Sequence, residues 1–238
     1  MRDTPSPRAG HHRAPGPTDH PTGPGPQPLV LASASPRRAD ILHTLRVPHL
    51  VRPADVDETE REGESPEAYA ERMALEKAAA VAAEHPDAWL LASDTVVALE
   101  DRVLGKPRDH DHAVHMLLEL AGRAHRVVSS VVLRAPVGVG EGKGSGGRSR
   151  RGAPGAPPIW SGVEATEVVF RPFGQAWAEA YAATGEPMDK AGAYGIQGLG
   201  AVLVERVSGD YSGVVGLPVS LLVRLFEEAG HPYRFPTP

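Results

Sequence analysis

The sequence predicts an α/β domain with a largely buried, mixed sheet. Three observations carry this. Strand-like and helix-like segments alternate along the chain. The run Trp89–Leu99 (WLLASDTVVAL) is too continuously apolar for a strand with one wet face. The short apolar run Pro28–Ser33 (PLVLAS) opens straight into a helix start. A length of 238 residues suits one such domain with a sizeable core.

Residues 1–27 are rich in Pro, Gly, Arg, His and Thr and poor in large apolar side chains, so they cannot offset the entropy of ordering and are expected to form a disordered tail. A single domain then spans 28–235, with the 137–158 stretch inserted in it. After the first strand, Ser35 suits an N-cap and Pro36 the first helical position, with Ile41, Leu42 and Leu45 as the apolar stripe. A second helix is signalled by Ser65, Pro66 and Glu67, with Tyr69, Met73 and Lys77 along residues 65–85. Trp89–Leu99 follows as a central strand. Next come a helix over 112–121 and a strand over 126–133. The stretch 137–158 (VGVGEGKGSGGRSRRGAPGAPP) is a flexible Gly/Pro-rich insertion by composition. Beyond it we expect a strand at 164–170, a helix at 173–183, a strand at 201–207 and a closing helix at 217–230 that ends on Gly230.

The bulk numbers exclude several classes. A net charge of -5 supplies no reservoir of positive potential, and the short RSRR run at 148–151 does not replace one, so nucleic acid is not an expected partner. The absence of cysteine removes disulfides, thiolate metal sites and a cysteine nucleophile. No apolar run approaches the roughly 20 residues that span a bilayer, so no membrane is expected and the location is read as cytoplasmic. Two motif-like runs are declined. GKGSGG at 142–147 fits a dinucleotide fingerprint in letters but opens no helix. His110, His112 and His115 read as a solvated helix start.

Three clusters could carry chemistry. At Ser33–Arg38 (SASPRR) a strand feeds a helix N-terminus, where unpaired N–H groups, Arg37 and Arg38 outline a triphosphate cradle, or else an ordinary capped helix with two solvated arginines. Asp94 stands inside an apolar strand, where an unpaired carboxylate would cost several kcal/mol. It therefore needs a cation, a lysine or an activated water as partner, unless it lies just past the strand end and caps a turn. The acidic run from Asp55 to Glu64 is mostly a solvated loop, yet one or two carboxylates with substrate phosphates would satisfy Mg²⁺. Lys77, Lys106 and Lys190 are scattered; brought together, they could neutralise a triphosphate.

Read together, these stretches resemble the Maf family over nearly all of 29–230. The residues that carry the resemblance are LASASPRR at 31–38, Asp57 and Glu58, ER and EK within 71–77, SDTVV at 93–97, LGKP at 104–107 and GRAHRV at 122–127. They continue in GEPMDKAGAYGIQG at 185–198 and VVGLP at 214–218. The resemblance implies a two-lobed fold similar to that of the inosine triphosphatases, with helices flanking the sheet, a nucleotide cleft between the lobes and a divalent cation, Mg²⁺ or Mn²⁺.

It also implies a reaction, the hydrolysis of nucleoside triphosphate to monophosphate and pyrophosphate, which could clear non-standard nucleotides. Asp94 matches the family's base and, with Glu58, its metal side. Ser35, Arg37, Arg38, Lys77 and Lys106 match positions that handle the triphosphate substrate, and Lys190 is expected to join them as a substrate-binding lysine. Arg37, Thr95 and Gln197 match positions linked to the dTTP- and UTP-preferring branch, and a Gln amide can both donate to and accept from a pyrimidine edge. Ser93, Ala121 and Gly213 depart from the family's usual residues without removing a charge. A homodimer is compatible with the resemblance. The rival reading is a nucleotide-binding regulator of cell division with little turnover.

Overall fold

The computed structural model describes residues 25–139 and 156–236. The expected disordered tail, apart from its last three residues, lies outside the described residues, as does most of the 137–158 insertion with its GKGSGG and RSRR runs.

In chain order the elements are β1 (Leu29–Leu31), α1 (Pro36–Thr44), β2 (Leu50–Val51), α2 (Pro66–Ala82), β3 (Trp89–Leu99), β4 (Arg102–Leu104), α3 (His110–Leu120) and β5 (Ala124–Arg134). They continue with β6 (Ile159–Phe170), α4 (Gln175–Ala182), β7 (Val204–Ser208), α5 (Tyr211–Val215) and α6 (Val219–Glu228). Three 3-10 turns, Glu186–Asp189, Ala191–Ala193 and Leu199–Leu203, fill the stretch between α4 and β7. All seven strands join one sheet in the order β2-β1-β3-β5-β6-β7, with β4 on the edge of β3. β1 runs parallel to β2 and β3 and the other pairs are antiparallel, so the sheet is mixed, as the sequence predicts.

Local chemistry sets the helix starts. Ser65 Oγ accepts from Ala68 N at 3.2 Å and Pro66 takes the first helical position of α2. Asp109 Oδ1 accepts from His112 N at 2.7 Å, which starts α3 at His110 instead of His112. The greatest displacement from expectation is β6, which begins at Ile159 and not at Glu164. Its antiparallel register with β5 is unbroken from Arg134↔Ile159 to Ala124↔Val169, and this carries the strand through Gly162. Gly162 serves packing there, because a Cβ would lie 2.6 Å from Leu221 Cδ1 of α6. β7 starts at Val204 because residues 199–203 form a 3-10 turn. β2, β4 and α5 are too short to leave a periodic signal.

The long strands run through two separate cores. One half of β3, with Trp89 and Leu91 on one face and Leu90 and Ala92 on the other, packs under α1 and α6 and under α2. The other half, with Val97 and Leu99, packs with α3, α4, Phe170 and Tyr194. This makes the domain two-lobed. β1 pairs with residues 89–91 of β3 and β4 with residues 97–99, so 92–96 have no strand neighbour on that side. The sheet is notched there, between the lobes. Among the described residues no helix is long and apolar enough to cross a membrane.

Candidate functional site

A cleft of about 920 Å³ opens at this notch. Ser35, Arg37, Arg38, Glu58, Lys77, Asp94, Thr95, Lys106, Lys190 and Gln197 all line it. The structure thus gathers every site residue expected from the sequence, although they span 163 positions from Ser35 to Gln197 when both ends are counted.

Strand alternation decides where the side chains of β3 go. Asp94 shares the face of Val96, which packs on Tyr69 and Met73 of α2. Asp94 is 7% exposed and lies well inside the strand, which removes the turn-capping alternative. Its partner is a lysine: Lys77 Nζ donates to Asp94 Oδ1 at 2.6 Å. Lys77 also reaches Glu58 Oε1 at 2.7 Å, and Lys106 Nζ stands 4.0 Å from Glu58 Oε2. Burial alone would raise the Glu58 carboxyl above its ordinary range, but the hydrogen bond and charge of Lys77, with the charges of Lys106 and Arg38, hold it below. Glu58 is kept in place by its backbone, whose carbonyl accepts from Tyr69 Oη at 2.8 Å. Arg72 binds Glu64 at 2.7 and 2.6 Å and the Thr59 carbonyl at 3.0 Å, so the acidic loop is stapled to α2 at its far end. The rest of that loop is exposed, as expected.

On the other face, Ser93 and Thr95 meet the loop after α5. Gly216 O accepts from Arg38 Nε at 2.8 Å and from Ser93 Oγ at 3.0 Å, and lies 3.4 Å from Thr95 Oγ1. Arg38 further donates to Ser33 Oγ at 2.9 Å and to Thr95 Oγ1 at 3.3 Å. Ser129 Oγ donates to Gly213 O at 2.8 Å and lies 2.7 Å from Thr95 Oγ1, which fixes it as acceptor for the threonine proton. The two arginines of SASPRR therefore differ. Arg38 is buried and ties β1, β3 and α5 together, with N–H groups left over at the cleft wall. Arg37 faces Asp189 Oδ2 at 3.8 Å across the cleft. Ser35 occupies the N-cap position of α1, but its hydroxyl makes no capping bond.

The third wall is the stretch 185–200. Lys190 Nζ donates to Asp189 Oδ1 at 2.6 Å and to Glu186 O at 2.7 Å. The Lys190 hydrogen bond and charge hold the Asp189 carboxyl below its ordinary range. Five cations (Arg37, Arg38, Lys77, Lys106, Lys190) and five carboxylates (Glu58, Glu60, Asp94, Glu186, Asp189) line the cleft, so an incoming polyanion must displace carboxylates from lysine and arginine. Sequence reasoning missed Ser33, Tyr69, Ser129, Glu186, Asp189 and the Gly216 carbonyl. Glu186 and Asp189 stood within the block GEPMDKAGAYGIQG, whereas a backbone carbonyl leaves no trace in residue letters.

Glu58 and Asp94 offer hard oxygen donors. Among the described residues no group of three or more His, Cys, Asp or Glu could hold a metal by itself, and His110, His112 and His115 form no such group. The donor set fits a divalent cation whose shell is completed by substrate oxygens and water, and does not fit an all-protein cage.

The family model for Maf-like proteins matches residues 28–229. A dTTP/UTP pyrophosphatase of Desulfotalea psychrophila is 45% identical over 83% of this chain and 92% of its own length. One of Myxococcus xanthus is 47% identical over 86% of this chain and 93% of its own. One of Halalkalibacterium halodurans is 41% identical over 88% and 100%. Among solved structures, the Staphylococcus aureus Ham1 protein matches with a TM-score of 0.35 and 16% identity, over 59% of this chain and 71% of that one.

Proposed function

This chain belongs to the Maf-like protein family, and from that premise we propose that its cleft hydrolyses nucleoside triphosphates to monophosphate and pyrophosphate, with preference for dTTP and UTP. The observation that carries the reading is the convergence of Asp94, Glu58 and five cationic side chains on one notch in the sheet. It is joined by relatives above 40% identity whose names state that activity.

In this reading the triphosphate lies along Arg37, Lys106, Lys190 and the free N–H groups at the start of α1, with Ser35 as an added donor. These groups form charge-assisted bonds to the phosphates in place of their present carboxylate partners. Glu58 and Asp94 would hold a divalent cation, Mg²⁺ or Mn²⁺, together with phosphate oxygens; bound there it supplies charge neutralisation on the phosphates. Asp94 acts as general base. Its carboxylate, oriented by Lys77, takes a proton from a water that attacks the α-phosphorus. The new P–O bond forms as the bond from the α-phosphorus to the α–β bridging oxygen breaks, and the electron pair leaves on pyrophosphate. Lys106, Lys190 and Arg37 stabilise that departing charge, which is the main task in phosphoryl transfer. Thr95 and Gln197 face the nucleoside end, and the enzyme works in the cytoplasm.

Product identity tests the reaction class. ³¹P NMR of UTP incubated with the protein and Mg²⁺ is expected to show UMP and pyrophosphate at equal rates. UDP with orthophosphate would overturn the assignment, because the wrong anhydride would have been cut.

A further inference from the structure

The loop that carries Gln197 is wrapped around one carboxylate. Glu186 Oε2 accepts from Leu199 N at 2.9 Å, Glu186 Oε1 accepts from Gly200 N at 3.1 Å, and Tyr181 Oη donates to Oε1 at 2.8 Å. The same tyrosine oxygen accepts from Gly195 N at 3.0 Å. Both ends of Gly195–Gly200 are therefore pinned to the Glu186–Tyr181 pair. The loop lies so close that a Cβ on Gly198 would sit 2.4 Å from Glu186 Oε2, and one on Gly195 would sit 2.7 Å from Lys190 Cε. Burial would raise the Glu186 carboxyl, but the two backbone N–H groups, the tyrosine hydroxyl and Lys190 hold it below its ordinary range. The Gln197 side chain is exposed and has no hydrogen-bond partner among the described residues.

We propose that Glu186 is a positioning residue for base selection: its carboxylate fixes the Gly195–Gly200 backbone and so places the Gln197 amide where it reads the pyrimidine. This rests on the reaction proposed above and on Gln197 facing the base. Its carboxylate acts through the backbone it holds, both oxygens being engaged by Leu199 N, Gly200 N and Tyr181 Oη. A loop held by one carboxylate is a device for discrimination, since a displacement of about 1 Å can cost up to about a hundredfold in a step that depends on alignment.

The test compares Glu186→Ala, Glu186→Asp and Glu186→Gln with the wild type. The aspartate keeps the charge but is one methylene short; the glutamine keeps the length and one acceptor oxygen. Two readouts are taken: the ratio of kcat/KM for UTP to that for GTP, and the inhibition constant of inorganic tripolyphosphate, which has no base. The ratio is expected to fall roughly tenfold or more in the alanine and aspartate variants and less in the glutamine variant, chiefly through a higher KM for UTP. The tripolyphosphate constant stays within about twofold, because side-chain substitution leaves the Glu186 carbonyl that holds Lys190 in place. Tyr181→Phe removes the Gly195 tie and the hydroxyl's bond to Glu186 while leaving the Leu199 and Gly200 ties, and is expected to lower the ratio too, which covers the case of an unfolded alanine variant. An unchanged ratio in these variants overturns the proposal while leaving the reaction intact, as does an equal loss for UTP, GTP and tripolyphosphate. A wild type with no pyrimidine preference overturns the base-reading premise first.

Discussion

Removing the Lys77 ammonium isolates a buried carboxylate, and the consequence can be worked from the site. Asp94 has one side-chain hydrogen bond among the described residues, the 2.6 Å contact from Lys77. Both side chains are 11% exposed, so water cannot replace the lost partner well. Lys77→Met keeps the length and the packing of the stem along α2 but leaves Asp94 uncompensated, and breaking a buried pair from one side costs about 3–5 kcal/mol. Asp94→Asn is milder. Lys77 then keeps Glu58 Oε1 at 2.7 Å, on a carboxylate that is half exposed, so the expected cost is about 1–2 kcal/mol. Combining the two substitutions removes the stranded charge, and the double variant is expected to lie near the Asp94→Asn value instead of at the sum. Urea denaturation of all four proteins closes the cycle, with a coupling of about 3–5 kcal/mol, the size of the Lys77→Met loss itself. Additive costs, or a Lys77→Met loss no larger than that of Asp94→Asn, would refute the view that Lys77 serves as the structural counter-ion of Asp94.

Two further predictions concern the lobe beyond the notch. His125 is 2% exposed, with its ring against Phe170 and Tyr194, and burial pushes its imidazole down to about 4. The unfolded chain takes up this proton near pH 6.5 while the folded chain does not, so the His125 contribution is fully favourable above pH 6.5 and stability falls as pH drops towards 4, by about 3 kcal/mol in all. His125→Leu is expected to flatten the loss measured by urea denaturation between pH 7 and pH 4.5; an unchanged slope would mean that other groups set it. Gly192 has φ +70° and a Cβ there would lie 2.8 Å from Val97 Cγ2, so Gly192→Ala is expected to destabilise the protein by about 2–3 kcal/mol. A thermal midpoint equal to that of the wild type would show that this turn yields easily.

The parts of the fold that were legible in sequence are those whose burial is two-sided or whose ends are chemically marked. β3 was readable to the residue because both its faces are buried, and α2 because Ser65 and Pro66 mark its start. β6 was cut short because Gly162 and the polar residues around it look like loop until β5 is laid alongside. β2 and β4 exist through pairing with β1 and β3, which no local pattern records. The site divides in the same way. Charge, burial cost and family resemblance gathered its lysines, arginines and carboxylates, but the different fates of Arg37 and Arg38 depend on the Gly216 carbonyl, 178 positions from Arg38. The sequence leaves the partner of Asp94 open among a cation, a lysine and water; helix α2 crossing that face of β3 makes it Lys77.

The central claim is that one carboxylate in the notch drives hydrolysis of pyrimidine triphosphates. Pyrophosphate release is to be measured from UTP, dTTP, CTP, GTP and 7-methyl-GTP with Mg²⁺ or Mn²⁺, for the wild type and Asp94→Asn. We predict metal-dependent turnover that is fastest for UTP and dTTP and falls at least about a hundredfold in the variant while its fold is kept. Turnover that survives Asp94→Asn would contradict the assigned base, and a wild type that binds these nucleotides without cleaving any would make the protein a nucleotide-responsive regulator and not an enzyme.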